Sequence, residues 1–430
     1  MPLPIPRSIQ DGLLERVQTI DRPAPSTTTN ESKVEITNIE YIGSYNWLDR
    51  KSPSLIIPGS PNEWVDKKTP FTLGHDTGIV VADQNAYRVP DTPLLPLFVA
   101  VNVKSSLDTA SSHNSPSGTS PPHFDWPSND FITDRNNLRK LLRWINNSPD
   151  SDFRIDVQLA GKKTILMSRY TTNVREKAAY GFGHSFEKAC TKPAAQCEGG
   201  VSHHRIIRYC ELLIGRQFVK DMNGLKMVVR YEVDGYLPDT SPYTHSWRQA
   251  ASAAAPTAVN NLADTPASVK FTAATPESTP KFKPKAEPAL HAGLTVYPGG
   301  SWSIPQSSIL EMKTRSQRNF DRINWSELHG QLYVSQTLHC FIGIHQQGTF
   351  STLVRQNLRS AAMERVRAAE QPKLKALRWV LGVIQDLLVK RGGNARVSLV
   401  SEAGVLGVYE CKTDGDCLPK ELMEYFDSDQ

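Results

Sequence analysis

Apolar and polar positions alternate over residues 34–47, the period of two that a strand with one buried face requires, and the run Leu97-Phe98-Val99-Ala100-Val101 predicts a second strand over 94–103. Ser, Pro, Asn and Gly crowd residues 105–122 and predict a loop. The spacing then changes. Behind Thr133-Asp134, Leu138, Leu141, Leu142 and Ile145 recur three and four apart, which predicts an amphipathic helix over 136–146 with Arg135, Arg139, Lys140 and Arg143 on its other face. Short β-branched segments at 153–159, 163–170 and 227–236 predict further strands. A helical region is expected over 353–390, with Leu374, Leu377, Val380 and Leu387 on its apolar side, an interruption near Pro372 and a stop at Gly392-Gly393; strands at 397–400 and 405–410 follow.

Two stretches carry no such pattern. Residues 1–33 are rich in Pro, Ser, Thr and charge and are expected to be a disordered arm; residues 238–291, dominated by Ala, Pro, Thr and Ser, are expected to be a disordered insertion. The remaining 34–430 is expected to form a single domain, an α/β fold with a central mixed β-sheet flanked by helices.

Composition changes this picture little. Apolar residues make up 39% and aromatics 8%, enough to fill a core, and 49 Lys and Arg against 44 Asp and Glu leave +5, too small a surplus to identify a polyanionic ligand without local evidence. The six cysteines include no CxxC pair and read as reduced thiols of an intracellular protein, in nucleus or cytoplasm. No apolar run approaches the roughly 18 residues a membrane helix needs, so no membrane partner is expected.

The chemistry concentrates in two fragments, Arg230-Tyr231-Glu232-Val233-Asp234 and Leu310-Glu311-Met312-Lys313. On an extended chain residues two apart share a side, so Glu232 pairs with Asp234 and Glu311 with Lys313. Either fragment alone is an ordinary strand with its charges in water. Brought together, three carboxylates repel unless a cation joins them, and hard oxygen donors favour magnesium or manganese. A lysine beside such a cation can orient a nucleophile or stabilise phosphoryl oxygens.

An acid-x-acid strand followed by a Glu-x-Lys strand resembles the PD-(D/E)xK nuclease superfamily, and more narrowly the eukaryotic decapping exoribonuclease (DXO-like) family. Arg135 ahead of Leu138-Arg139-Lys140-Leu141-Leu142 is similar to that family's arginine before a helical segment, and Gly183-His184-Ser185-Phe186-Glu187 to its glycine-aromatic-x-aromatic-Glu motif, with His184 at an aromatic position. Glu232-Val233-Asp234, Glu311-Met312-Lys313-Thr314 and Ser335-Gln336-Thr337 follow in the family's order, so the resemblance spans residues 131–350. The chain also resembles uncharacterised filamentous-fungal proteins that carry a prenyl-diphosphate synthase label, but it has no DDxxD pair with which to hold a diphosphate through magnesium.

The decapping-family resemblance implies a nuclease-like core and a set of roles. Glu187, Glu232, Asp234 and Glu311, with the main-chain carbonyl of Met312, would hold Mg2+ or Mn2+, as two ions about 3.5 to 4 Å apart. Glu232, Asp234, Glu311 and Lys313 would be catalytic, Lys313 and Gln336 would position the nucleophile and the scissile phosphate, and Arg135 would contact RNA phosphate. The implied function is metal-dependent hydrolysis at the 5′ end of RNA: 5′–3′ exonuclease action, pyrophosphate release, or removal of a cap or NAD. DNA is the alternative substrate. The alternative class is a catalytically weak relative that binds or activates another RNA-processing enzyme as a protein partner.

Overall fold

The computed structural model describes residues 6–23, 33–111, 124–148, 152–214, 224–239, 287–300, 304–393, 395–412 and 416–427. A twelve-stranded mixed sheet runs in the order Leu13–Ile20, Val405–Cys411, Arg396–Glu402, Phe153–Ala160, Thr164–Arg169, Phe131–Asp134, Lys226–Glu232, Gly200–Ile214, Lys33–Leu48, Ser54–Ile57, Leu294–Pro298, Ala289–His291. Its centre is parallel: Phe131–Asp134 lies parallel to both Lys226–Glu232 and Thr164–Arg169. Both faces are covered, and successive residues of each central strand enter different cores. Phe131, Ile165, Ile207 and Val229 pack with the helices Arg135–Ile145 and Glu364–Arg391, whereas Ile132, Leu166, Ile206 and Val228 pack with the helix Leu95–Ser111. Two-sided burial is why these strands read as nearly continuous apolar runs.

A seven-stranded sheet is built from Thr191–Lys192, Glu63–Trp64, Gly235–Tyr236, Ile309–Ser316, His339–Gln346, Thr349–Asn357 and Phe71–Thr72, in that order. Its two faces also differ. Leu310, Met312 and Phe341 join the aromatic cluster of Phe186 and Phe350 under the helix Gly183–Cys190, while Cys340, Ile342 and Ile344 pack with Leu332 of the helix Trp325–Val334. The period of two therefore turns Glu311 and Lys313 away from the aromatic cluster.

The α/β expectation, a mixed sheet flanked by helices, is met, as are the strands near 34–47, 153–159, 163–170, 397–400 and 405–410 and the helix at 136–146. Several elements differ. Residues 94–103 are helical, within Leu95–Ser111 rather than a strand, and the expected loop starts no earlier than its end; residues 112–123 lie outside the described ones. A continuous apolar run has no period to choose between helix and strand. What decides it is contact: a Cβ added to Gly43 would come within 3.3 Å of the Ala100 backbone, so the helix lies directly on the long strand.

At the other end, Thr349–Asn357 is a strand, and one helix, Glu364–Arg391, runs through Pro372 without interruption. Pro372 and Ala368 are both exposed, so water can satisfy the carbonyl that loses its donor. Leu13–Ile20, within the expected arm, pairs antiparallel with Val405–Cys411. An edge strand needs only a neighbour's free backbone, which an apolar pattern does not announce. The strand expected over 227–236 is broken after Glu232. Most of the expected insertion, residues 240–286, lies outside the described residues, and Ala289–His291 at its end forms a short strand.

Candidate active site

The break after Glu232 makes the site. Lys226–Glu232 belongs to the large sheet and Gly235–Tyr236 to the small one, so Glu232-Val233-Asp234 carries the chain from one to the other. Val233 anchors the crossing: it is buried, and its N–H donates to the His203 carbonyl at 3.0 Å. Glu232 and Asp234, on either side of it, line a cleft of about 290 Å3 together with Glu311, Lys313, Arg135 and Gln331. Arg135 reaches this cleft because it is the first residue of its helix, directly after the strand that pairs in parallel with Met227–Arg230.

Glu311 is the hub. It is 2% exposed, and its Oε1 accepts from Lys313 Nζ at 2.5 Å and Gln331 Nε2 at 2.7 Å while Oε2 accepts from Arg135 Nη1 at 2.8 Å. Arg135 Nη2 also donates to the Glu232 carbonyl at 3.3 Å. Burial alone would raise the Glu311 carboxyl; Arg135 and Lys313 outweigh it and hold the group at about 2.

The other carboxylates behave in the opposite way. Burial and then the Glu311 charge push Asp234 up to about 7, although its Oδ2 accepts the Met312 N–H at 2.6 Å. Glu187, half-buried, is pushed up to about 9 by desolvation and then by Asp234, and desolvation at the cleft raises Glu232 as well, although part of its side chain is exposed. Glu187 stands on the helix Gly183–Cys190, whose first turn is capped by Asp76, which accepts from the N–H groups of His184 at 3.2 Å and Ser185 at 2.8 Å. Outside the acidic group Lys313 offsets part of the rise at Glu187, and Nδ1 of His184 lies 3.9 Å from Oε2 of Glu187.

The far side of the cleft holds groups that the sequence reading did not place there. Asp83 caps the helix Gln84–Arg88 and pairs with Arg169 at 3.3 Å; Asn85 lies 3.2 Å from Nε2 of His204, whose ring stacks on Tyr45 and is kept neutral by burial and by Arg230. A larger cavity of about 760 Å3 adjoins through Arg169; within it Arg154 pairs with Asp156 at 2.6 Å, and Asp156 also accepts from the Ser398 hydroxyl at 2.5 Å. The convergence of three carboxylates with Lys313, not volume, distinguishes the smaller cleft.

Gln336 is not in the cleft. It follows the helix Trp325–Val334 with φ 50°, and its side chain donates to the Tyr333 carbonyl at 2.7 Å, so it ends the helix instead of facing the acidic group. Gln331, five residues earlier, lines the cleft and donates to Glu311. A polar residue on the buried side of that helix, between His329 and Leu332, was the available signal.

In donor chemistry the acidic group fits a hard divalent cation: carboxylate oxygens only, with negative charge that the protein leaves partly unneutralised. As the side chains stand, no three His, Cys, Asp or Glu among the described residues are grouped to hold an ion, and both Glu311 oxygens already accept, Oε2 from Arg135 and Oε1 from Lys313 and Gln331.

A family model, described as a domain of unknown function (DUF8563), matches residues 15–426. The chain belongs to this family. Comparison with curated proteins finds no match. Among solved structures the chain is similar to Rai1 of S. pombe, with a TM-score of 0.52 and 12% identity over 90% of this chain and 98% of that one. It is also similar to Rai1 of Scheffersomyces stipitis in complex with 3′-NADP+ and calcium, with a TM-score of 0.51 and 10% identity over 95% and 99%. At such identity the likeness establishes the fold: this member of the DUF8563 family has the α/β architecture of Rai1. No helix among the described residues is long and apolar enough to cross a membrane.

Proposed function

We propose that the chain is a Mg2+- or Mn2+-dependent nuclease acting at the 5′ end of RNA, in the manner of the decapping exonucleases to which Rai1 belongs. The observation that carries this reading is the cleft at the junction of the sheets, where Glu232, Asp234, Glu311 and Lys313 converge. The calcium in one Rai1 structure supports a divalent cation, and its 3′-NADP+ supports a nucleotide-like ligand.

In this reading Glu187, Glu232, Asp234 and Glu311, with the Met312 carbonyl, hold the cation or pair of cations. Such ions polarise phosphoryl oxygens and lower the pKa of bound water. Lys313 stays charged at any physiological pH because Glu311 holds its proton on, so it presents an ammonium to the phosphate rather than acting as a base. Gln331 takes the positioning role first expected of Gln336. Arg135 binds RNA phosphate after leaving Glu311.

Incubating 5′-triphosphate, 5′-monophosphate, capped and NAD-capped RNA with Mg2+ or Mn2+ tests the proposal. Wild type is expected to turn over at least one of these, and a Glu232→Ala plus Asp234→Ala variant none; equal products from both proteins would place the chemistry elsewhere. The grip of Arg135 on Glu311 favours a second reading, a catalytically weak relative that binds or activates another RNA-processing enzyme. RNA binding without turnover by either protein would select it.

A further inference from the structure

We infer that Tyr180 and His75 form a stacking platform for an unpaired base of a single-stranded nucleic acid beside the candidate active site; as a subsite of that cleft, the platform rests on the nuclease reading. Tyr180 is 86% exposed, far more than any other large apolar or aromatic side chain near the cleft's helices. Its backbone is nevertheless pinned on both flanks. The Asp76 N–H donates to the Gly181 carbonyl at 2.8 Å, and the Ala178 N–H donates to the Gly78 carbonyl at 3.0 Å.

Among the described residues, His75 is the aromatic ring that backs Tyr180. Tyr180 lies 4.2 Å from the ring of His75, and His75 lies 5.4 Å from Phe182, which is buried and lies 4.6 Å from His345. An aromatic column thus rises from the core of the small sheet and ends on an uncovered face. A tyrosine held rigidly in water gains nothing for the fold, whereas it loses little entropy when a base stacks on it.

The platform is tied to the catalytic helix. The residue after His75 is Asp76, whose carboxylate receives the N–H groups of His184 and Ser185, one turn before Glu187. Lys177 and Lys188, both exposed, flank the motif in the sequence and supply positive charge for a phosphate backbone. A protein partner could also cover an exposed ring, but a single aromatic over a histidine, next to a phosphate-type acidic cleft, matches a nucleobase better than it matches the broad apolar patch of a protein interface.

The test measures fluorescence anisotropy of 5′-phosphorylated oligoadenylate and oligouridylate on the full chain in EDTA, beside turnover with Mn2+. Tyr180→Ala is expected to weaken oligoadenylate binding by about 5- to 150-fold, more than it weakens oligouridylate, while Tyr180→Trp stays within about threefold of wild type. Unfolding temperatures of both variants guard against a misfolding artefact, which 86% exposure makes a minor concern. Affinity for oligoadenylate within about twofold of wild type in Tyr180→Ala, equal weakening by the alanine and tryptophan variants, or no binding by wild type overturns the inference. Binding that depends on Tyr180 in a protein that turns over no RNA keeps the platform and removes the nuclease reading; turnover whose KM ignores Tyr180 does the reverse.

Discussion

Glu311 stands on a strand of the small sheet and Asp234 at the crossing just before the neighbouring strand, yet their carboxyls are driven apart, one held at about 2 and the other pushed up to about 7. Glu311 is buried and Asp234 half-buried, so desolvation acts on both. The difference lies in partners: Glu311 accepts from Arg135, Lys313 and Gln331, whereas Asp234 has the Met312 amide and faces the Glu311 charge. Two kinds of carboxylate result. Glu311 is a fixed anion that organises the surrounding cations; Asp234, Glu187 and Glu232, once ionised, carry charge that the chain only partly balances. Raised and lowered carboxylates side by side are how a protein divides roles within one acidic group.

The division is broken most severely at the hub. Glu311→Ala leaves Arg135 and Lys313 together without their anion, and the folded state is expected to lose about 3 kcal/mol or more in urea unfolding, because a buried charge stripped of its partner is costly. Asp234→Asn should do the contrary. It keeps an oxygen for the Met312 amide and removes an unbalanced charge, so stability at pH 8 should hold or rise, while Mn2+-dependent turnover falls by about two orders of magnitude. If Asp234→Asn destabilises as much as Glu311→Ala, the two carboxylates do not differ in kind.

Acidity provides the next contrast, with opposite signs for the two kinds. Asp234 and Glu187 are raised in the fold, so the folded state binds more protons than the unfolded chain above pH 4; their contribution is intact below that and is lost as pH rises through about 7 and then about 9. Glu311 is lowered, and its contribution fades only as pH falls towards about 2. Between pH 5 and 9 without metal, the melting temperature should therefore drop as pH rises. Mn2+ should restore it most at the alkaline end, where protons no longer compete for the oxygens. A Mn2+ stabilisation that is the same at pH 5 and pH 8.5 would count against cation binding at these carboxylates.

Much of this was legible in the sequence because it depends on spacing alone. Leu138, Leu141 and Leu142 mark their helix by period, and Glu311 and Lys313 share a side simply by being two apart on a strand. What spacing cannot carry is which chain lies opposite. Residues 94–103 became a helix through contact with Gly43, and Arg169, Asn85 and His204 reach the cleft from three separate elements. Asp234 was legible as a residue but not as a junction: nothing in Glu-Val-Asp states that the chain changes sheets there. Which glutamine faces Glu311 was not legible for a related reason, since the register depends on where the helix stops.

That last point yields the mildest contrast, between two glutamines five residues apart. Gln331→Ala removes one donor from Glu311 Oε1 and should cost about 1.5 kcal/mol of stability and roughly tenfold in turnover, the size of a hydrogen bond to a charged group. Gln336 makes its side-chain bond to a helix-end carbonyl and sits at φ 50°, a left-handed backbone that glycine adopts without strain. Gln336→Gly trades that bond for relief of the backbone and should leave stability within about 1 kcal/mol and turnover unchanged. Turnover that falls with Gln336→Gly but not with Gln331→Ala would return the positioning role to Gln336, and would mean that the helix end rearranges before substrate is held.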